Sequence, residues 1–129
     1  MVRKMKIAIV GAGTSGVLVA GMFTSRRIIP LDVAKTFSVD LVSDPNVPII
    51  GVGEASTVPL VRELFEGFGF SMSENAHQIE CTPKFSIKYE NFNPDGSSFH
   101  HPFDGGTHGI HFNSKLLSEW ALSNLTCNI

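Results

Sequence analysis

The chain has 129 residues, 43% hydrophobic and 17% charged, which fits one small globular domain and excludes a disordered segment. Ten basic and twelve acidic residues leave a net charge of −2, so nothing favours nucleic acid or an anionic membrane as partner. Cys81 and Cys127 form neither a CxxC pair nor a disulfide framework, and no apolar run approaches a membrane span of about 20 residues, so a reducing cytoplasm is the expected location.

Arg3, Lys4 and Lys6 precede an apolar run, as in a signal peptide, but the glycines that follow continue a fold pattern instead. Ile7, Ile9 and Val10 make a short buried strand. It breaks into Gly11-Ala12-Gly13-Thr14-Ser15-Gly16, and Val17 to Phe23 continue as a buried helix reaching about Arg26. Strand, glycine turn and helix open a dinucleotide-binding βαβ unit. Gly11 makes the turn, Gly13 lets backbone approach a pyrophosphate, and Gly16 lets helix pack on strand. Thr14 and Ser15 lie between them in the same candidate cradle, where a helix N-terminus presents free N–H groups to phosphate.

Pro30 forbids continuation of the helix, and 28–37 is a connector. Ser38 to Val42 alternates as the second strand. In dinucleotide folds that strand ends in an acidic residue that takes the ribose hydroxyls, and Asp44 is the candidate here. Its other reading is a capping Asp in the turn Asp44-Pro45-Asn46. Pro48-Ile-Ile-Gly-Val-Gly-Glu-Ala-Ser-Thr-Val-Pro59 follows, with Gly51 and Gly53 allowing close approach to a flat ligand. Ser56 or Thr57 is expected to cap a helix near Pro59 carrying Val61, Leu64, Phe65 and Phe68 and ended by Gly67 and Gly69.

Ser73 is expected to cap a short helix to His77. Thr82 to Phe92 alternates as one half-buried strand, with Phe85, Ile87 and Tyr89 on one face and Lys84 and Lys88 on the other. Read from periodicity alone, those lysines mark a solvated edge. Asn93-Pro-Asp-Gly96 is a turn, 97–103 a short strand stopped by Pro102, and His108 to Phe112 another extended piece. Four histidines fall between His100 and His111, but no carboxylate or cysteine pattern accompanies them, so no metal site is expected. Ser114 is expected to cap a last helix containing Glu119 and Trp120.

The fold class is therefore α/β: an FAD/NAD(P)-binding, Rossmann-like βαβ start, incomplete, with additional antiparallel strands. A doubly wound sheet needs several βα units and this chain supplies two parallel strands. Open edges and exposed apolar faces are expected, with association such as a homodimer, and the chain is expected to be an N-terminal piece of a larger fold or a truncated reading frame.

Gly11-Ala-Gly-Thr-Ser-Gly16 together with Gly51-Val-Gly-Glu-Ala-Ser-Thr-Val-Pro59 resembles the flavin-dependent tryptophan halogenase family. That family pairs Gly-x-Gly-Thr-Ala-Gly with a later Gly-Val-Gly-Glu-Ala-Thr-x-Pro. Lys84-Phe-Ser-Ile-Lys-Tyr-Glu-Asn-Phe92 is similar to the family's Lys-x-x-Ile-Lys-Phe-x-Asn-Trp strand, and Phe99-His-His-Pro-Phe103 resembles its His-x-Phe type segment. The resemblance makes residues 1–129 the N-terminal part of an FAD-binding halogenase domain. It implies reduced FAD delivered by a separate flavin reductase, O₂, a halide and an aromatic small-molecule substrate such as tryptophan or indole. In that chemistry halide attacks a flavin hydroperoxide, and the resulting hypohalous acid reaches a lysine beside the substrate. By resemblance that lysine is Lys84, held as a haloamine or hydrogen-bonded acid. Gly11, Gly13 and Gly16 would take the pyrophosphate; Val52, Gly53, Glu54, Ala55 and Ser56 would lie in a strap over the flavin. Val17 stands where the family has Trp, and the second motif carries one extra residue before Pro59. The family's Gly-Trp-x-Trp-x-x-Ile-Pro motif, its catalytic glutamate and its halide site do not occur in these residues, so the chain alone is not expected to be competent. A hydroxylating flavin monooxygenase and a non-catalytic nucleotide-binding module are the other readings.

Overall fold

The computed structural model describes residues 4–125, so Arg3 and Cys127 lie outside the described residues. Strand β1 (Met5–Val10) leads through the glycine loop into helix α1 (Thr14–Thr24). A one-turn helix α2 (Leu31–Ala34), with Pro30 at its N-cap, occupies the expected connector. Strand β2 (Phe37–Val42) then lies parallel to β1, in register from Met5 opposite Phe37 to Val10 opposite Val42. This is the expected βαβ start. The pair forms a two-stranded sheet, so β1 is less buried than its apolar run implies: Val10 is 84% and Met5 62% exposed.

Strand β3 (Gly53–Ala55) precedes helix α3 (Val58–Phe68). Gly69 closes α3 in the left-handed conformation, φ +74, and Phe70 N donates back to Leu64 O at 3.1 Å. Helix α4 (Met72–Asn75) runs into a 3-10 turn (Ala76–Ile79). Strands β4 (Thr82–Lys84), β5 (Ser86–Tyr89), β6 (Phe99–Pro102) and β7 (Gly109–Asn113) follow, and helix α5 (Ser114–Ser123) completes the described elements. β7 is the middle of an antiparallel sheet ordered β3-β7-β4, and β5 pairs with β6 in a separate hairpin.

The single strand expected over 82–92 is therefore two strands in two sheets, broken at Phe85, which is 61% exposed. Side-chain alternation is preserved across a change of partner strand, so the pattern alone does not reveal the break. Two expected caps also move. Asn113, not Ser114, caps α5, its Oδ1 accepting from Lys115 N and Leu116 N. Ser71 rather than Ser73 holds the N-cap position of α4; Thr57, one of the two residues expected there, holds that of α3, and neither side chain makes a capping bond. Ser56 is buried and engaged elsewhere.

Two apolar clusters make the core. Ile110 and Phe112 of β7 pack with Leu64, Phe70, Ile79 and Leu117. Val17 and Ala20 of α1 pack with Leu41 and Ala121. Leu18, Phe68 and Trp120 touch both clusters, and Trp120 meets Phe70 edge-on at 5.4 Å between ring centroids. This seam fixes α1, and with it the glycine loop, against α3 and α5. Gly21 makes the approach feasible: a Cβ there would lie 1.9 Å from Phe68 Cζ. Gly21→Ala is expected to destabilise the fold by about 1–3 kcal/mol through overpacking, although alanine is the better helix former. Urea unfolding checks this, and Phe68→Leu is expected to cost less in the Gly21→Ala background than alone.

Candidate functional site

The glycine loop takes up the geometry its residues require. Gly11 has φ +105, a region closed to most side chains, and its N–H donates to Val42 O at 2.8 Å. Gly16 is packed: a Cβ there would lie 1.8 Å from Gly11 O. Gly13 is the N-cap of α1 in extended conformation, and a Cβ built on it meets nothing within 4 Å. No side chain caps the first turn of α1, and no acidic residue lies in it, which leaves those N–H groups to an anion.

A groove of about 610 Å³ runs past this loop. Its lining comes from Val10 to Thr14, from Val42 to Asp44 after β2, and from Val47 to Ile50 with Glu54 and Ser114. Asp44 makes the turn contact of its capping reading, its Oδ1 accepting from Asn46 N at 2.8 Å and Asn46 Nδ2 at 3.0 Å, and it borders the groove. Ser15 is exposed on α1 and does not line the groove. Chemically the groove offers backbone N–H groups at one end, a carboxylate beside them and apolar walls suited to a flat ring.

The second glycine stretch becomes a strap ending on β7. Gly53, Glu54 and Ala55 pair with Asn113, Phe112 and His111. Ser56 N donates to Ile110 O at 2.8 Å, and Ile110 N donates to Ser56 Oγ at 3.0 Å. Ser56 O is thereby left for Lys84, whose Nζ donates to it at 3.4 Å and stands 5.8 Å from the Phe103 ring centroid. Lys84 lies opposite Gly109 in the β4–β7 register, and a Cβ on Gly109 would fall 2.4 Å from Ser56 O. The two lysines thus differ: Lys84 is half-buried on the strap carbonyl, while Lys88 is exposed and paired with Glu90. Of the strap residues Glu54 borders the groove, Val52 is half-exposed outside its lining, and Gly53 and Ala55 line a smaller depression beside Glu80 and His111.

Among the described residues no cluster of His, Cys, Asp or Glu could hold a metal ion. His100, His101 and His111 are exposed. His108 Nε2 is buried without a protein partner among the described residues, and its ring lies 6.0 Å from Phe85. Cys81 donates to Met72 Sδ at 3.6 Å, and burial pushes its thiol pKa up, so it is a packing residue at neutral pH. Gly109 and Ser114 were not singled out as site residues by sequence. The signal available for Ser114 is its repeat four residues on at Ser118, one face of one helix.

A parallel βαβ start with a glycine-lined groove, and a second glycine strap leading to a lysine, define an α/β protein of Rossmann-like type. Residues 6–124 match the tryptophan halogenase family, and the chain belongs to it. Tryptophan 7-halogenase RebH of Lentzea aerocolonigenes is 29% identical over 114 residues, covering 87% of this chain and 20% of the relative. Tryptophan 6-halogenase SttH of Streptomyces toxytricini is 29% identical over 99 residues, covering 77% of this chain and 18% of the relative. The chain thus spans about a fifth of the length of these curated relatives. Among solved structures, Xcc4156, a flavin-dependent halogenase from Xanthomonas campestris, superposes with a TM-score of 0.74 at 15% identity, covering 93% of this chain and 33% of that one. The SttH crystal structure gives 0.69 at 19% identity, covering 97% and 34%. The resemblance read from the motifs and the α/β fold class are both borne out. Among the described residues no helix is long and apolar enough to cross a membrane.

Ser56 is the joint of this arrangement. Ser56→Ala is expected to lower unfolding free energy by about 1–3 kcal/mol, because Ile110 N loses its acceptor in a buried position. Denaturant midpoints of the two proteins measure the difference.

Proposed function

We propose that this chain supplies the flavin-binding part of an FAD-dependent halogenase acting on an aromatic small molecule such as tryptophan or another indole. The observation that carries the proposal is that one strap serves two places. Its residues Ile49, Ile50 and Glu54 line the groove together with the glycine loop, and its last residue, Ser56, holds Lys84. The residues present fit the cofactor. Gly13 leaves open space where a pyrophosphate must approach backbone, and the uncapped turn of α1 offers it N–H donors. Asp44 stands past β2 for the ribose hydroxyls, and Val10, Val42 and Ile50 offer apolar contact to a ring. Gly11, Thr14, Gly16 and Ser15 complete the loop and its helix start, and Val52, Gly53, Glu54 and Ala55 the strap.

Reduced FAD, renewed by a separate flavin reductase, supplies with O₂ the oxidation of halide: reduced flavin, O₂, halide and a proton give oxidised flavin, hypohalous acid and water. Lys84 is the residue that receives that acid. Its ammonium donates a hydrogen bond to the hypohalous oxygen; its neutral amine exchanges one N–H for N–halogen and releases water. In either form the lysine directs an electrophilic halogen at the substrate ring. Ser56 O orients the Nζ, and Phe103 lies alongside it. The cytoplasm is the proposed location, consistent with a reaction that draws on a soluble reductase.

Two substitutions test the proposal. Gly13→Ser is expected to keep or raise the melting temperature, because serine is a good N-cap and the space is open. The same change is expected to weaken FAD binding more than tenfold (roughly 1.4 kcal/mol), read by flavin fluorescence. Undiminished FAD binding by this variant would remove the loop from the cofactor site. Lys84→Ala, made in the complete halogenase, is expected to leave FAD binding intact and cut indole halogenation by about 100-fold or more. Equal halogenation by the variant overturns the role of Lys84.

A further inference from the structure

Two serines of α5 are buried where packing does not call for them. Ser114 is 2% and Ser118 1% exposed, on the face that also carries Leu117 and Ala121. Alanine would suit such a face and favours helix more. Each hydroxyl is engaged instead. Ser114 Oγ donates toward two strap carbonyls, Ile50 O at 2.7 Å and Val52 O at 2.9 Å, while Ser114 N donates to Val52 O at 3.0 Å. Ser118 Oγ donates to Ser114 O at 2.8 Å and lies 3.3 Å from Thr14 Oγ1. Thr14 is the first residue of α1, next to Gly13. Ile50, Thr14 and Ser114 all line the groove.

We infer that Ser114 and Ser118 are positioning residues: a brace, one helical turn long, that ties the strap and the glycine loop to α5 and so sets the separation of the groove's walls. The inference rests on the reading of that groove as the flavin site. Ser114 holds the strap wall and Ser118 the loop wall. An extended cofactor gripped from both sides binds best when neither wall must be ordered on binding. The variants therefore act differently. Ser114→Ala releases Ile50 O from its donor and loosens the strap there, while the backbone bond from residue 114 N to Val52 O remains. Ser118→Ala releases Thr14 and leaves the strap in place.

The test combines FAD titration by flavin fluorescence with hydrogen–deuterium exchange of the peptide 48–53, measured without ligand. Ser114→Ala is expected to speed exchange in that peptide and weaken FAD binding about tenfold, the effect of one buried hydrogen bond lost. Ser118→Ala is expected to weaken FAD binding with strap exchange unchanged. Leu117→Val, a core truncation that touches neither wall, is expected to lower the melting temperature and keep FAD binding within twofold of the parent. The inference is overturned if both serine variants bind FAD like the parent, or if Leu117→Val weakens binding as much as they do. Failure of the parent chain to take up FAD overturns the assignment of the groove instead. Strap exchange then still decides the brace, since an unchanged rate in Ser114→Ala shows that the hydroxyl does not hold the strap.

Discussion

The exchange between Ser56 and Ile110 is the contact on which the rest of the molecule hangs. In an antiparallel ladder the two residues of a hydrogen-bonded pair give and take through their main chains. Here Ser56 gives its N–H to Ile110 O but receives Ile110 N–H on its side-chain oxygen. The hydroxyl stands in for the carbonyl, and the carbonyl is released to meet Lys84. Such a turn of the backbone toward β4 brings Ser56 O over Gly109, where any side chain would collide. One hydroxyl and one missing methyl group thus decide both the path of the strap and the place of the lysine. The same strand sends Ile110 and Phe112 into the core, so the site's geometry is anchored at the best-buried part of the chain.

The second anchor is the seam of Leu18, Phe68 and Trp120 between the two apolar clusters. It carries no chemistry itself. Its work is to make the βαβ start and the β7 sheet one body although, among the described residues, no strand pairing joins them. Helices do this in place of strands: α1 lies against α3 at Gly21 and against α5 at Ala121. A groove walled by two different sheets' loops can keep a constant width only if the helices between them are packed without slack.

How much of this could be read from residues alone follows from what each residue signals locally. The glycine loop was legible because Gly11 and Gly16 answer steric demands made within a few residues of themselves. The helix of Leu64 and Phe68 was legible because its period is 3.6 and Gly69 closes it. Lys84 was not distinguishable from Lys88 by alternation, since both occupy the same phase of one apparent strand; their difference arises from Ser56, 28 residues away, and the family motif had to supply it. The caps failed for a related reason. Ser56 and Ser114 have the chemistry of N-caps, but long-range partners claimed their hydroxyls, and Asn113 took the capping role that Ser114 left. Serine near a helix start announces a hydrogen bond and does not say with what.

The break at Phe85 divides labour along a stretch of sequence that looks continuous. Up to Lys84 the chain belongs to the sheet of β7; from Ser86 it belongs to a hairpin whose two strands pair with each other, with Tyr89, Phe92 and Phe99 gathered on it. Variation in the hairpin can accumulate without passing through the hydrogen bonds that locate the lysine. The lysine and the aromatic ribbon thus hang on different hydrogen-bond ladders. A lineage can remodel the aromatic ribbon, its length or its turn, while inheriting the lysine's position unchanged.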